Sequence, residues 1–283
     1  MGKRKFKMNS TEQKRALACA VKAARAVGKL MRQNLHEVKR ANSTTQHDIK
    51  LELDVRCQKL VETTLAAAFP DVAFVGEEGI TGNPHAAQRW VVDPIDGTVN
   101  FAYGIPHACV SIALQIKSLK FEVQSLKLRN PASPGEEFET VVGVVYDPFC
   151  NEMWTAIRGQ PARLNGKIIR VSERRHLREA IISMGFAKSR ATLEHALPCF
   201  NHLVMKVRKI RMMGAAALAM TYVASGRFDA YLEGGIRLWD IAAGGLIVEC
   251  AGGEFWREPI KGHYAYRTVT SNGLLRKKLK ATL

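Results

Sequence analysis

The sequence predicts a layered α/β fold whose sheets are mixed or largely antiparallel. Two observations carry this. Stretches with apolar residues at helical spacing alternate with short apolar runs of strand length, and neither a repeat nor a dividing linker interrupts the alternation. At 283 residues the chain is long enough for one large domain or two lobes sharing a core. It reads as a basic N-terminal tail over residues 1–10 and a single domain over 11–283.

Along the chain, Ser10-Thr11-Glu12-Gln13 fits a capping box, and Leu17, Val21, Ala24, Val27 and Met31 follow at helical spacing, which predicts an amphipathic helix of about 20 residues. A polar connection runs from Arg40 to His47. Leu53, Cys57, Leu60, Val61 and Leu65 mark a second helix that ends before Pro70. Ala73-Phe74-Val75 and Trp90-Val91-Val92 are short buried strands. Strands are also expected over Val110–Ile116, Val141–Tyr146, Ile181–Met184, Phe228–Leu232 and Arg267–Thr270. Helices are expected over Leu193–Val207, Ala215–Ser225 and Trp239–Cys250, the last two stopped by Gly226 and Gly252-Gly253.

Composition narrows the function classes. The hydrophobic fraction of 47% and charged fraction of 24% are those of a soluble globular protein. No apolar run reaches the length of a membrane span, and the basic N-terminus leads into a polar stretch without the apolar core of a secretory signal. Six scattered cysteines, none in a CxxC pair, suit small buried hydrophobes in a reducing compartment, so a cytoplasmic protein is expected. The net charge is +16. One reading is association with RNA or DNA, and the other is a solvated, solubilising surface. The scatter of the basic segments and the lack of interleaved aromatics favour the second.

Chemistry concentrates in Asp93-Pro94-Ile95-Asp96-Gly97-Thr98-Val99-Asn100, directly after an apolar strand. Pro94 fixes one φ angle and Gly97 permits a sharp turn, so Asp93, Asp96 and the Ile95 carbonyl can point at one place. Hard oxygen ligands of this kind suit Mg²⁺, and the amides of Gly97 and Thr98 can meet a phosphate oxygen if a helix begins there. The competing reading is a solvated turn.

This octet resembles the first signature of the inositol monophosphatase family. Trp239-Asp240-Ile241-Ala242-Ala243-Gly244 resembles the second, and Gly76-Glu77-Glu78 lies upstream as in that family. The resemblance implies a layered α-β-α-β-α fold of the sugar-phosphatase or fructose-1,6-bisphosphatase type. It implies a phosphomonoesterase using two or three Mg²⁺ ions, with Glu77, Asp93, the Ile95 carbonyl, Asp96 and Asp240 as metal ligands. By the same resemblance, Asp54 pairs with Thr98 to orient or deprotonate the attacking water, and Glu77 completes the catalytic set. Gly97 and Thr98 bind phosphate. Gly214, Ala215 and Ala216 line the substrate ring, Glu233 holds a substrate hydroxyl, and Asp240 borders the substrate. A small phosphorylated polyol or sugar, a homodimer and inhibition by Li⁺ are further implications.

The match has departures. Leu51 stands where the family has a threonine three residues before the acidic position, and a loop lysine has no clear counterpart within Lys39–Thr45, so the third metal position is less well carried than the first two. Ala215 replaces a common hydroxyl residue. Arg237 is either a pocket residue favouring a second anionic group or a surface arginine. A basic insertion occupies about 117–139. Inositol-1-phosphate leads among substrates, because Val99-Asn100-Phe101 after the DGT segment resembles the inositol type. Fructose-1,6-bisphosphate, histidinol phosphate and adenosine 3′,5′-bisphosphate are the alternatives. A different class of function, an accessory factor associated with RNA polymerase or RNA, also stands, as family members of that kind exist.

Overall fold

The computed structural model describes residues 8–38, 41–44, 49–118, 138–186 and 190–280. The first seven residues, most of the 117–139 insertion and part of the Lys39–Thr45 connection lie outside them. The first half of the chain runs α1 (Ser10–Asn34), β1 (Ala41–Thr44), β2 (Ile49–Leu51), α2 (Glu52–Ala66), β3 (Ala73–Gly76), β4 (Gly79–Thr81), β5 (Gln88–Asp96), α3 (Thr98–Ala102), β6 (Cys109–Lys117) and β7 (Phe138–Asp147). The second half runs β8 (Glu152–Ile157), β9 (Arg163–Leu164), β10 (Lys167–Ile168), a 3-10 turn (Leu177–Glu179), β11 (Ile181–Met184), α4 (Arg190–Val204), β12 (Lys209–Arg211), α5 (Ala216–Ala224), β13 (Ala230–Arg237), α6 (Leu238–Cys250), β14 (Glu254–Pro259), β15 (Ala265–Ser271) and α7 (Arg276–Lys280).

Among the described residues the larger sheet has the order β10-β9-β8-β7-β6-β5-β3-β4 and the smaller one β12-β11-β13-β15-β14. Period-two alternation on β5 divides the core: Val92 joins Val27, Met31 and Val61 under α1 and α2, while Val91 joins residues of α5 and α6 on the opposite face. Tyr231 and Tyr266 of the smaller sheet close that second core. A third core lies on the far side of the smaller sheet, where Cys199 and Leu203 of α4 and Leu279 of α7 pack on Ile182 and Leu232. The layers are therefore α-β-α-β-α.

Several local expectations are corrected. The first helix is 25 residues long and is capped by Asn9 rather than Ser10. Asn9 Oδ1 accepts from the Glu12 amide at 2.9 Å, and the Asn9 amide donates to Glu12 Oε2 at 2.8 Å. Asn caps as well as Ser, and only Asn9 has a Glu at the third helical position. The Arg40–His47 connection carries β1, which pairs antiparallel with β2. The strand expected to end at Leu232 continues to Arg237 through a bulge between Gly234 and Ile236, with Gly235 at φ 89°. β8, β9, β10, β12 and β14 are short strands whose apolar patterns are too brief to register alone.

The middle helical layer sits close to the larger sheet. A Cβ on Gly143 of β7 would come within 2.9 Å of the Ala243 carbonyl oxygen of α6, so only glycine allows this approach. Gly143→Val is expected to cost roughly 1–3 kcal/mol through overpacking. A urea-unfolding midpoint unchanged from wild type would contradict this.

Candidate active site

The site is organised by a bulge. Asp93 pairs opposite Ser111 and Asp96 opposite Cys109, with the register shifting between them. Residues directly opposite on antiparallel strands share a face, and Ser111 and Cys109 are two apart on β6. The three-residue step from Asp93 to Asp96 would normally put them on opposite faces. The bulge absorbs the extra residue and turns both toward α5 and α6. Pro94 fits this position because a bulged residue need not donate to the ladder. Gly97 then takes φ 91°, and α3 starts at Thr98.

Each carboxylate is held by backbone. Asp93 Oδ1 accepts from the Ile95 amide at 3.0 Å. Asp96 accepts from the Ala216 and Ala217 amides at 3.1 and 2.7 Å and from Cys109 Sγ at 3.5 Å, so it caps α5. Asp240 Oδ2, in the first turn of α6, accepts from the Arg237 amide at 2.9 Å. Ser111 Oγ donates to the Trp239 carbonyl at 3.0 Å, fixing the start of α6 against β6. Asp93 and Asp96 form the floor, 2% and 7% exposed, while Glu77, Asp240 and Glu233 are partly exposed.

The electrostatics follow from this crowding. Burial raises the Asp93 carboxyl well above its usual range, and the charges of Glu77, Asp96 and Asp240 raise it further. Burial pushes Asp96 to about 7, opposed by the Ala217 and Ala216 amides and the Cys109 thiol, with Glu233 adding repulsion. Desolvation pushes Asp240 to about 7, with Asp96 and Glu233 adding to it and the Arg237 amide opposing.

The remaining candidates gather around the same corner. Thr98 Oγ1 donates to the Ile95 carbonyl at 2.9 Å, and Asp54, 3% exposed, accepts from the Leu51 amide through Oδ2 at 2.8 Å. Thr98's hydroxyl proton is thus directed at Ile95 here, while α3 packs beside β2 at the start of Asp54's helix. Asn100 Nδ2 donates to the carbonyls of His107 and Met213 at 2.9 and 2.8 Å, which draws the Gly214-Ala215-Ala216 segment to α3. An added Cβ on Gly97 would lie 3.2 Å from the Ala215 Cβ, so the two backbone segments adjoin. Glu233 accepts a short hydrogen bond from Tyr231 Oη. Arg237 is exposed, and its guanidinium donates to the His263 carbonyl at 2.9 Å, which gives it a loop-tethering role at the surface.

Sequence reasoning missed Cys109, Ser111, Asn100 and Tyr231. Two of these had a usable signal: Asn100 lies in the octet that begins at Asp93, and Tyr231 stands two residues before Glu233 on a strand and so shares its face. Among the described residues no three His, Cys, Asp or Glu side chains form a ready-made ligand group, because the carboxylates are turned toward amides and toward one another. The donor set nevertheless fits a hard divalent cation. Clustered carboxylate oxygens that raise one another's proton affinity have spare lone pairs and uncompensated charge.

A protein-family model described as "Inositol monophosphatase family" matches residues 12–119 and 136–274, leaving 120–135 between the two stretches. The Xylella fastidiosa protein named Nus factor SuhB is 38% identical over 244 residues, covering 85% of this chain and 81% of that protein. Inositol monophosphatase 1 of Solanum lycopersicum is 37% identical over 244 residues, covering 84% and 82%. The crystal structure of extragenic suppressor protein suhB from Bartonella henselae superimposes with a TM-score of 0.81 at 30% identity, covering 95% of this chain and 98% of that one.

Metal-free protein tests the crowding. Native Asp96 and Asp240 keep their protons up to about 7, whereas the unfolded chain releases them near 3.8. The native state therefore binds more protons between those values, and stability falls as pH rises through that window. Thermal unfolding after chelation is expected to show this decline, with added Mg²⁺ reversing it at the upper end. A melting temperature rising across the window would contradict it.

Proposed function

The chain belongs to the inositol monophosphatase family, and from that premise we propose that it is a Mg²⁺-dependent phosphomonoesterase acting on inositol-1-phosphate or a similar small polyol or sugar phosphate. The observation that carries this reading is the convergence of Asp93, Asp96 and Asp240 at the end of β5 and the start of α6, in mutual repulsion, with Glu77 in electrostatic reach. Glu77, Asp93, the Ile95 carbonyl, Asp96 and Asp240 would hold Mg²⁺. When bound, the metal supplies Lewis-acid activation of water and neutralises charge on the phosphoryl group.

The chain's own groups divide the remaining work. Asp54 and Thr98 orient the attacking water, and Asp54 takes its proton. The amides of Gly97 and Thr98 hold phosphate oxygens as charge spreads over them in the transition state. Backbone of Gly214, Ala215 and Ala216, drawn in by Asn100, borders the substrate ring. Glu233, steadied by Tyr231, accepts a hydrogen bond from a substrate hydroxyl. That last contact selects a polyol over a simple alkyl phosphate. Relatives named Nus factor carry a different role in their name. The intact carboxylate set favours catalysis as the reading for this chain.

Phosphate release from a panel of phosphomonoesters with Mg²⁺ tests the reading. Asp93→Asn is expected to lower kcat/KM roughly a thousandfold, about 4 kcal/mol of transition-state stabilisation, while leaving the fold intact. Li⁺ is expected to inhibit the wild type by competing for a Mg²⁺ position. A folded Asp93→Asn enzyme with near wild-type turnover would overturn the assignment.

A further inference from the structure

The strong positive charge looks scattered along the sequence, yet three of the basic segments meet in space. Leu177, Val207, Ile210, Leu275 and Leu279 share the third core, and this turns their basic neighbours outward together. The amides of Arg208 and Lys209 donate to the Ala180 carbonyl at 3.0 and 3.4 Å, and Lys278 Nζ donates to the Arg175 carbonyl at 2.7 Å. Arg175, Arg178, Arg208, Lys209, Arg211, Arg276 and Lys277 are all exposed.

The face is built rigidly. Buried Asp229 accepts from Arg174 Nε at 2.7 Å, from the Ile181 amide at 2.8 Å and from Ser172 Oγ, pinning the segment that carries Arg175 and Arg178. Acidic groups offset part of the charge: Glu179 is 4.0 Å from Arg178, Glu254 is 3.2 Å from Arg276, and Glu173 stands exposed at the margin. The excess comes from Arg175, Arg208, Lys209, Arg211 and Lys277. Basic residues on an edge strand such as β12 also discourage edge-to-edge pairing. That accounts for Lys209 and Arg211 but not for Arg175 or Lys277, which other elements supply.

We propose that this face binds the phosphodiester backbone of a nucleic acid, independently of sequence. A regular row of phosphates matches clustered Lys and Arg and needs no apolar or aromatic anchor, whereas base stacking would require aromatics that these three segments lack. The inference rests on the geometry of the three segments and not on the phosphatase reading.

Fluorescence anisotropy across a KCl series, with a labelled mixed-sequence RNA oligonucleotide and a DNA duplex, tests it. The first variant combines Arg175→Glu, Lys209→Glu and Lys277→Glu. The control applies the same charge change to exposed positions of α1, as Lys14→Glu, Lys22→Glu and Lys29→Glu. The face variant is expected to bind about tenfold or more weakly, with a salt slope on single strands shallower by about two, while the control binds as wild type does. Lys277→Glu alone, on the terminal helix, is expected to lose part of the affinity and serves if the triple variant unfolds. Phosphate release by the folded variants should be unchanged. Equal weakening by both triple variants would assign the effect to net charge and overturn the proposal. So would absence of binding by the wild type, or displacement of RNA by polyglutamate at equal charge concentration, which would point to an acidic protein partner instead.

Discussion

Asp93, Asp96 and Asp240 stand beside one another at the junction of β5, α5 and α6, and the energetic cost of gathering three carboxylates there constrains everything around them. The chain meets that cost with backbone amides. Asp96 takes the first amides of α5, Asp240 takes the amide that precedes α6, and Asp93 takes the amide of Ile95. These bonds also fix where the two middle helices begin. The same groups that crowd the site therefore orient the layer packed between the sheets. Amides reduce the repulsion without removing it, and the remaining negative charge is what a divalent cation is suited to neutralise.

Burial grades the site from floor to rim. Asp93 and Asp96 are closed off by β6 and α5, whereas Glu77, Asp240 and Glu233 keep some exposure. The acidic cluster lies in a body of net charge +16. Such a surround attracts phosphorylated substrates over distances near the Debye length, and a cation held by the cluster would reverse the local sign. A basic exterior and an acidic interior are thus compatible parts of one phosphate-handling protein.

Much of this was legible in the sequence, for identifiable reasons. The octet from Asp93 to Asn100 combines an apolar strand, a proline, two carboxylates and a glycine, and each constrains backbone geometry on its own. Long helices such as α1 and α6 declare themselves through composition over many residues. What stayed hidden depends on pairing partners. No local pattern says that Ser111 and Cys109 stand opposite Asp93 and Asp96, because strand register is set by contacts distant in sequence. Asp229 gave no sign that it organises Ser172, Arg174 and Ile181, which lie some fifty residues away. The basic segments looked dispersed for the same reason, since only β11–β12 pairing and the docking of α7 bring them to one face.

Whether the carboxylate cluster holds a divalent cation can be seen crystallographically. Anomalous diffraction from crystals soaked in Mn²⁺, a Mg²⁺ surrogate with oxygen preference, tests it most directly. Anomalous density is expected within ligand distance of Asp93, Asp96 and Asp240, and is expected to be lost in an Asp93→Asn crystal. Mn²⁺ bound elsewhere with this cluster empty, or density that persists unchanged in the variant, would contradict it.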